Sequence, residues 1–543
     1  MAHSNHHRRV HALFAAVAVA AFLAAGEASG SGGVGFDLHH RSSPVVRRWA
    51  AARGRAAGEP WPAHGSPEYY SALSRHDRAL LARRGLAGAV PDGLLAFAGG
   101  NATYRLNDLG FLYYAEVAVG TPNATFLVAL DTGSDLFWVP CDCKQCAPLG
   151  GNATGPGGPE LRPYSPRSST TSKAVTCGHA LCDRPNACGG GGGAGNGSCP
   201  YAVRYVSANT SSSGVLVEDV LHLTREGPGG AAAAAVQAPI VFGCGQVQTG
   251  SFLDGAAADG LLGLGMAKVS VPSVLAAGGL IASDSFSMCF SEDGVGRINF
   301  GDAGGGGQAE TPFVVSSVHP TYNVSFTAIN VGSKSSPVEF TAVMDSGTSF
   351  TYLNDPEYTE LATNFNSQIR EKRTDFNGSG GSVPFEYCYA LSNGQTEVDM
   401  PEVSLTTKGG ALFPVTRPFI VFADMINGKT RPIGYCLAII KSDISINIIG
   451  QNFMTGLKVV FDRERSVLGW QKFDCDKNAR AADAPEGSPR AAPAPAKITP
   501  QQNGNGYPGA APVPRPSAAS GRAAGALGGL FSLLLPLLAA AVV

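Results

Sequence analysis

Phe126-Leu127-Val128-Ala129-Leu130-Asp131-Thr132-Gly133-Ser134 and Phe340-Thr341-Ala342-Val343-Met344-Asp345-Ser346-Gly347-Thr348 are two copies of one pattern, 214 residues apart. Each is a largely apolar, strand-forming run that ends in Asp, a hydroxyl residue, Gly and a second hydroxyl residue. In a chain with 70 glycines a single Asp-Ser-Gly is ordinarily a turn, because Asp and Ser bond their own backbone and Gly supplies the φ values. A copy at the end of a strand in each half of the chain is a different matter, since the same local structure then delivers two carboxylates. Two carboxylates held close together cannot both ionise without strong repulsion, so the pair holds one proton between them. One member can then take a proton from water while the other donates a hydrogen bond, and the titration belongs to the pair. Asp131 and Asp345 are therefore the candidate catalytic groups.

Outward from the motifs the chain alternates short β-rich runs with Gly, Pro, Asn and Asp turns. Strands are expected over Leu112 to Val119, Thr125 to Leu130, Gly214 to Leu223 and Pro239 to Gly243. Few helices are expected in the body, mainly at Pro272 to Leu280 and Asp355 to Glu371. The fold class is all-β. With 543 residues, 44% of them hydrophobic and 15% charged, the chain can bury a large core. A net charge of -2 offers nucleic acid no basic patch, so none is expected as a partner.

Around the first motif stands Asp131-Thr-Gly-Ser-Asp-Leu-Phe-Trp138-Val-Pro, with Val119-Gly120-Thr121-Pro122 upstream and Asp259-Gly260-Leu261-Leu262-Gly263-Leu264-Gly265 downstream. Near the end come Ile448-Ile449-Gly450-Gln451-Asn452-Phe453, Val460-Phe461-Asp462 and Gly469-Trp470. From about Leu112 to Asp474 the chain resembles the pepsin-like aspartic proteases. The resemblance implies two similar β-rich lobes with the active-site cleft between them, no cofactor or metal, and an endopeptidase acting on proteins or peptides at acidic pH. By the same resemblance Gly133 and Gly347 bring backbone donors close to the carboxylates. Ser134 and Thr348 bond the outer carboxylate oxygens, and Thr132 and Ser346 tie the two loops together. Tyr205, in Tyr201-Ala-Val-Arg-Tyr205, matches the tyrosine of the substrate-covering flap, although the usual Gly-Asp/Thr-Gly after it is missing. A non-catalytic reading on the same fold resembles the protease-like xylanase inhibitors, which have lost part of the motif that is intact here.

All twelve cysteines lie between Cys141 and Cys475, and the region from Cys141 to Cys199 resembles the nepenthesin-type and nucellin-like plant proteases. Eight cysteines before residue 250 and four after it allow every bridge to close within a lobe, with connectivity left open. Cys141-x-Cys143-x-x-Cys146 could be read as the start of a zinc cluster. Eight of the eleven histidines fall in the first 76 residues, however, and an oxidising compartment favours disulfides, so no metal is expected.

Both ends read as processing segments. Arg8-Arg9, the apolar run Ala12 to Ala25 and the small residues after it form a signal peptide (1–30). Residues 31–100 form a basic pro-segment, with a helix expected over Glu68 to Arg84 and arginines suited to cover an acidic dyad until low pH releases them. The two lobes occupy 101–305 and 306–476. A Pro/Ala-rich spacer (477–520) leads to small residues, with Ser517 or Ser520 as attachment candidates, and to the uncharged tail Leu527 to Val543 within 521–543. That tail falls short of the roughly 20 residues that cross a bilayer and has the form of a signal for a glycosylphosphatidylinositol (GPI) anchor, a tail-anchored helix being the alternative. Sequons begin at Asn101, Asn123, Asn152, Asn196, Asn209, Asn323 and Asn377 and fit passage through the secretory pathway. The expected location is the outer face of the plasma membrane or the cell wall, and the expected state a monomer.

Overall fold

The computed structural model describes residues 34–40, 65–71, 74, 113–146, 163–183, 188, 197–204, 210–225, 234–253, 257, 259–290, 295–316, 320–378, 381–395, 397–426, 429–473 and 499–500. In the first half, β1 (Tyr113–Val119), β2 (Ala124–Asp131), β3 (Trp138–Gln145) and β4 (Leu261–Gly263) surround the first motif. β2 runs antiparallel to β1, with Tyr114 opposite Ala129, and parallel to β4, with Asp131 opposite Gly263. β4 also pairs antiparallel with the start of β3, Leu261 opposite Trp138.

The second half repeats the arrangement with β5 (Lys334–Met344), β6 (Thr351–Leu353) and β7 (Asn447–Ile449). β5 is parallel to β7, Met344 opposite Ile449, and β6 is antiparallel to β7 at Tyr352 and Ile448. In both halves the chain enters on one strand, turns at the Asp loop and leaves on another, and a strand from far downstream inserts between the two. That insertion demands close backbone contact. A Cβ at Gly263 would stand 2.3 Å from the backbone of Asp135, and one at Gly450, just past β7, 2.2 Å from the Phe350 carbonyl.

Among the described residues, fourteen strands form one sheet that runs through the first lobe and on to the C-terminal strands, and a seven-stranded sheet builds most of the second lobe. The join is Ser285–Phe290 against Leu457–Asp462, where the rings of Phe286 and Phe461 stack 4.8 Å apart. Tyr322, fully buried between the lobes, packs edge-on to Phe461 at the same distance. Strand Val34–His40, from the segment expected to be a pro-segment, pairs along Val295–Phe300 and touches Tyr113 and Tyr114 of β1.

The two expected helices appear as α1 (Val271–Ala277) and α2 (Glu357–Asn366), the second burying Tyr358, Leu361, Ala362 and Phe365 on one face. α2 is shorter than expected because Ser367 Oγ and Gln368 Nε2 both donate to the Asn364 carbonyl and satisfy the acceptor that would continue it. Residues 67–71 and 74 are helical within the expected Glu68 to Arg84 helix, and the remainder lies outside the described residues.

Cys141–Cys244, Cys143–Cys146, Cys177–Cys188 and Cys182–Cys199 are bridged within the first lobe and Cys388–Cys436 within the second. Cys289 is also disulfide-bonded. The sulfurs of the Cys141, Cys143 and Cys146 run are thus committed to disulfides and offer no thiolate to a metal.

Two buried charges brace the first lobe. Arg463, on the turn after Leu457–Asp462 with its side chain 6% exposed, donates to the Met266 carbonyl (3.1 Å), Ser270 Oγ (2.9 Å) and Ser273 Oγ (2.5 Å) at the start of α1. Asp219 accepts from Tyr164 Oη (2.5 Å), Thr171 Oγ1 (2.6 Å) and the Val220 N–H (2.8 Å) beneath the turn at Gly120. Burial alone would raise the Asp219 carboxyl, but these donors and Ser169 together hold it below the ordinary carboxylate range.

Replacing Arg463 by Met removes three charge-assisted bonds and the ion pair with Asp284 (3.5 Å), and urea unfolding should show a loss of about 3 kcal/mol. Because the folded-state value of Asp219 is depressed, its contribution is complete above the unfolded value of about 3.9 and fades as pH falls through the folded one. Asp219→Asn should therefore lower the melting temperature near neutral pH, and the gap to the parent chain should narrow below about pH 4, as followed by thermal scans across pH.

Candidate active site

Asp131 closes β2 and Asp345 follows β5, so equivalent strands bring both to the base of the cleft. Both are buried, Asp345 completely. Asp131 Oδ1 accepts from the Gly133 N–H (2.8 Å) and its Oδ2 from Ser134 Oγ (2.7 Å). Asp345 repeats the scheme, with Oδ1 on the Gly347 N–H (3.0 Å) and Oδ2 on Thr348 Oγ1.

Beneath the carboxylates the loops exchange bonds. The Thr132 N–H donates to Ser346 Oγ (3.1 Å), and the Ser346 N–H donates to Thr132 Oγ1 (3.0 Å). Thr132 Oγ1 donates to the Met344 carbonyl (3.0 Å), and Ser346 Oγ donates to the Leu130 carbonyl (3.5 Å). Each hydroxyl therefore accepts from the opposite loop and donates to the end of the opposite strand. The side chains of Thr132 and Ser346 are 1% exposed, so no water competes for these groups.

Gly347 records how near the carboxylates come. A Cβ there would lie 2.7 Å from Asp131 Oδ1 and 3.2 Å from Asp345 Oδ1. Both oxygens converge on that point, and the sum of the two distances is the upper limit of their separation. Such a pair can hold a small molecule such as water between its two acceptors.

Several groups without a sequence-assigned role hold this base in place. Gln451 Nε2 donates to the Ser346 carbonyl (2.6 Å), and Asp259 Oδ2 accepts from the Leu127 N–H (2.9 Å) on the strand that leads to Asp131. The Leu264 N–H donates to the Asp131 carbonyl (3.0 Å), while Tyr322 Oη donates to the Leu264 carbonyl (2.6 Å). Asp135 Oδ1 accepts from the Ala267 N–H (2.8 Å), and burial keeps its carboxyl above the ordinary range despite that bond and Arg463. Asp259 and Gln451 stand in segments that the sequence marks, but their partners lie more than a hundred positions away. Tyr322 and Arg463 carry no local signal.

Trp138 is fully buried against Phe252, with ring centroids 4.9 Å apart. The strand Pro200–Arg204 pairs antiparallel with the start of Ser211–Arg225, Arg204 opposite Ser211, and Tyr205 lies outside the described residues between them. Of the sequons, Asn123 is exposed on the turn before β2, Asn323 Nδ2 donates to Thr321 Oγ1 (2.9 Å), and Asn377 opens a two-residue strand. Asn101, Asn152, Asn196, Asn209, Ser517, Ser520, the signal peptide and the apolar tail lie outside the described residues. Among the described residues no helix is long and apolar enough to cross a membrane.

Comparison with known proteins agrees with this geometry. Residues 113–302 match the family model described as xylanase inhibitor N-terminal, and residues 321–472 the one described as xylanase inhibitor C-terminal. The "Aspartyl protease family protein 1" of Arabidopsis thaliana is 47% identical over 477 residues, 87% of this chain and 88% of that one. The chain belongs to the plant aspartyl protease family. The "Aspartic proteinase-like protein 1" of Arabidopsis thaliana is 37% identical over 92% of this chain and 93% of its own. Nepenthesin-2 of Nepenthes gracilis is 30% identical over 55% of this chain and 65% of its own. Among solved structures, conglutin gamma from lupine seeds aligns with a TM-score of 0.51 at 20% identity, covering 68% of this chain and 93% of that one. Basic 7S globulin from soybean aligns with a TM-score of 0.50 at 21% identity over the same shares. These two share the bilobal all-β fold.

The loop exchange sets a stability test. Thr132→Val removes an acceptor and a donor together and should cost about 2–3 kcal/mol in urea unfolding. In a double-mutant cycle with Ser346→Ala the two losses should fall short of additive by about 1 kcal/mol or more.

Proposed function

We propose that the chain is an aspartic endopeptidase that hydrolyses peptide bonds in proteins at acidic pH, with Asp131 and Asp345 as its catalytic pair. The observation that carries this reading is the convergence of the two Oδ1 atoms on the point above Gly347. Between carboxylates so placed, one proton is shared. The ionised member takes a proton from a water held between them, and the water oxygen attacks the carbonyl carbon of the scissile peptide bond. The protonated member donates to the carbonyl oxygen, and the departing amine carries away a proton from the pair. No covalent acyl-enzyme forms. Ser134, Thr348, Gly133 and Gly347 keep the four carboxylate oxygens in one orientation, so little reorganisation is needed during the reaction.

Around this centre we place Tyr205 on a flap over the substrate and residues 31–100 as a removable pro-segment. The sequons are glycosylation sites, and Asn123 has the exposed turn position that suits one. A signal peptide, a Pro/Ala-rich spacer and a GPI anchor at Ser517 or Ser520 would hold a monomeric enzyme on the outer face of the plasma membrane or in the cell wall. The descriptions of the two matching family models favour a second reading, a protease-like inhibitor that binds without cleaving. Against it, both carboxylates keep their complete set of donors.

Cleavage of an unfolded protein at acidic pH decides between the two. The processed chain should cleave and be blocked by pepstatin, and Asp131→Asn or Asp345→Asn should lower turnover by about a thousandfold or more. Absence of cleavage by the processed parent chain would establish the binding reading. Treatment of membranes with a phosphatidylinositol-specific phospholipase should release the protein, and retention would point to a spanning tail.

A further inference from the structure

Cys143 and Cys146 close a disulfide across only three positions of chain. A loop that short barely restricts the unfolded chain. The bridge therefore adds little of the stabilisation supplied by Cys141–Cys244, 103 positions apart, or Cys388–Cys436, 48 apart. It is also within reach of a reagent. Cys143 and Cys146 are half-buried, whereas every cysteine of Cys141–Cys244, Cys182–Cys199 and Cys388–Cys436 is buried. Cys177–Cys188 is half-buried too, but it closes a longer loop and neither of its cysteines lies in a strand.

The Cys143–Cys146 bridge spans an irregularity in the sheet. β3 pairs parallel with Ala234–Thr249, and the register jumps from Pro140 opposite Gly245 to Gln145 opposite Val247, so β3 takes five steps where its partner takes two. The surplus is taken up between Cys141 and Lys144, where Asp142 adopts a left-handed φ of 40°. Val247 in turn lies opposite Ser213, and Ser213 opposite Ala202. One row of pairings thus leads from the bridge to Pro200–Arg204 and Ser211–Arg225, the two strands on either side of Tyr205 in the chain.

We propose that Cys143–Cys146 is a thiol–disulfide exchange site that takes electrons from a dithiol, and that its reduction loosens the two strands flanking Tyr205. A thiolate of the dithiol attacks one sulfur of the bridge, the S–S bond breaks, and the other sulfur leaves as a thiolate and takes up a proton. The second thiol of the dithiol, losing its own proton, attacks the mixed disulfide and frees the remaining cysteine. The dithiol departs as a disulfide, two electrons and two protons having passed to the chain. The backbone suits the product. Sγ of Cys146 and Sγ of Cys143 lie 3.6 and 4.0 Å from the Gly245 carbonyl oxygen, an acceptor for the S–H groups that form. Without the bridge the surplus chain can extend, and the Gln145–Val247 pairing at its end is the first to loosen. Any effect on substrate rests on reading Tyr205 as a flap residue; the exchange itself does not.

The test treats the full-length chain with graded dithiothreitol under native conditions, then with iodoacetamide, and maps the alkylated peptides. Cys143 and Cys146 should open at dithiothreitol concentrations at least about tenfold lower than Cys177–Cys188 or any buried bridge. Hydrogen exchange of the selectively opened chain should quicken by about fivefold or more in residues 200–204 and 211–215 and stay unchanged in Asn323–Val331. Opening of the other bridges at the same concentration overturns the exchange site. Unaltered exchange in residues 200–204 and 211–215 overturns the link to those strands. Should dithiothreitol disturb the fold, Cys143→Ser with Cys146→Ser gives the same reading without it, and protection equal to that of the parent chain is again an overturning result. In a chain that cleaves, selective opening should raise KM about threefold or more with kcat within about twofold, and an unchanged KM overturns the effect on substrate. Labelling and hydrogen exchange involve no turnover, so failure of the exchange site and failure of the peptidase reading show up separately.

Discussion

The structure depends on the exchange of bonds between Thr132 and Ser346. Two loops from opposite lobes share four hydrogen-bonding contacts in a space closed to water, so neither loop can move without leaving buried donors unsatisfied. That constraint sets the carboxylate separation. The distance between Asp131 and Asp345 is short because the residues next to them cannot part, and the donors on Gly133, Ser134, Gly347 and Thr348 then fix how each carboxylate is turned.

Each loop is also held from below by its own half. The strands inserted beside β2 and β5 end in or are followed by the glycines that permit close approach, and the backbone bonds from Leu264 to Asp131 and from Asp345 to Ile449 lock the motif ends in place. The lobes are not independent bodies joined by a tether. Leu457–Asp462, late in the chain, lies in the same sheet as Ser285–Phe290, and Arg463 at its end grips the segment that leads into α1. That segment returns to the site through Ala267 and Asp135, so a buried guanidinium from the C-terminal strands helps position the first carboxylate.

Much of this was legible in the sequence because it is local and doubled. The strand-plus-motif pattern places Asp131 and Asp345, and β2, α1 and the core of α2 appear where alternation and helical spacing put them. What was not legible depends on partners distant in the chain. Arg463 looks like one arginine of a charged turn until folding buries it at Ser270 and Ser273. Gln451 gives no sign that its amide supports the Ser346 carbonyl. Tyr70 donates through its hydroxyl to the Val421 carbonyl, some 350 positions away, and no periodicity links them. The early end of α2 was hidden for a related reason, since Ser367 and Gln368 suit a helix by composition but spend their side chains on its last carbonyl.

The buried carboxylates also bear on the pH at which such a protein could work. Asp219 and Asp302 are held below the ordinary range, Asp219 by its hydroxyl donors and Asp302 by Lys458 and Ser287, so each loses its stabilising contribution as acid protonates it. Asp135 and Asp284 are held above the range, chiefly by burial, and bind protons more readily folded than unfolded. Acid therefore strengthens the fold through one pair and weakens it through the other. The pair that gains includes Asp135, which braces the loop of Asp131, while the pair that loses lies beneath the turn at Gly120 and at the turn after Val295–Phe300. Acidification leaves the exchange between Thr132 and Ser346, which contains no titrating group, untouched.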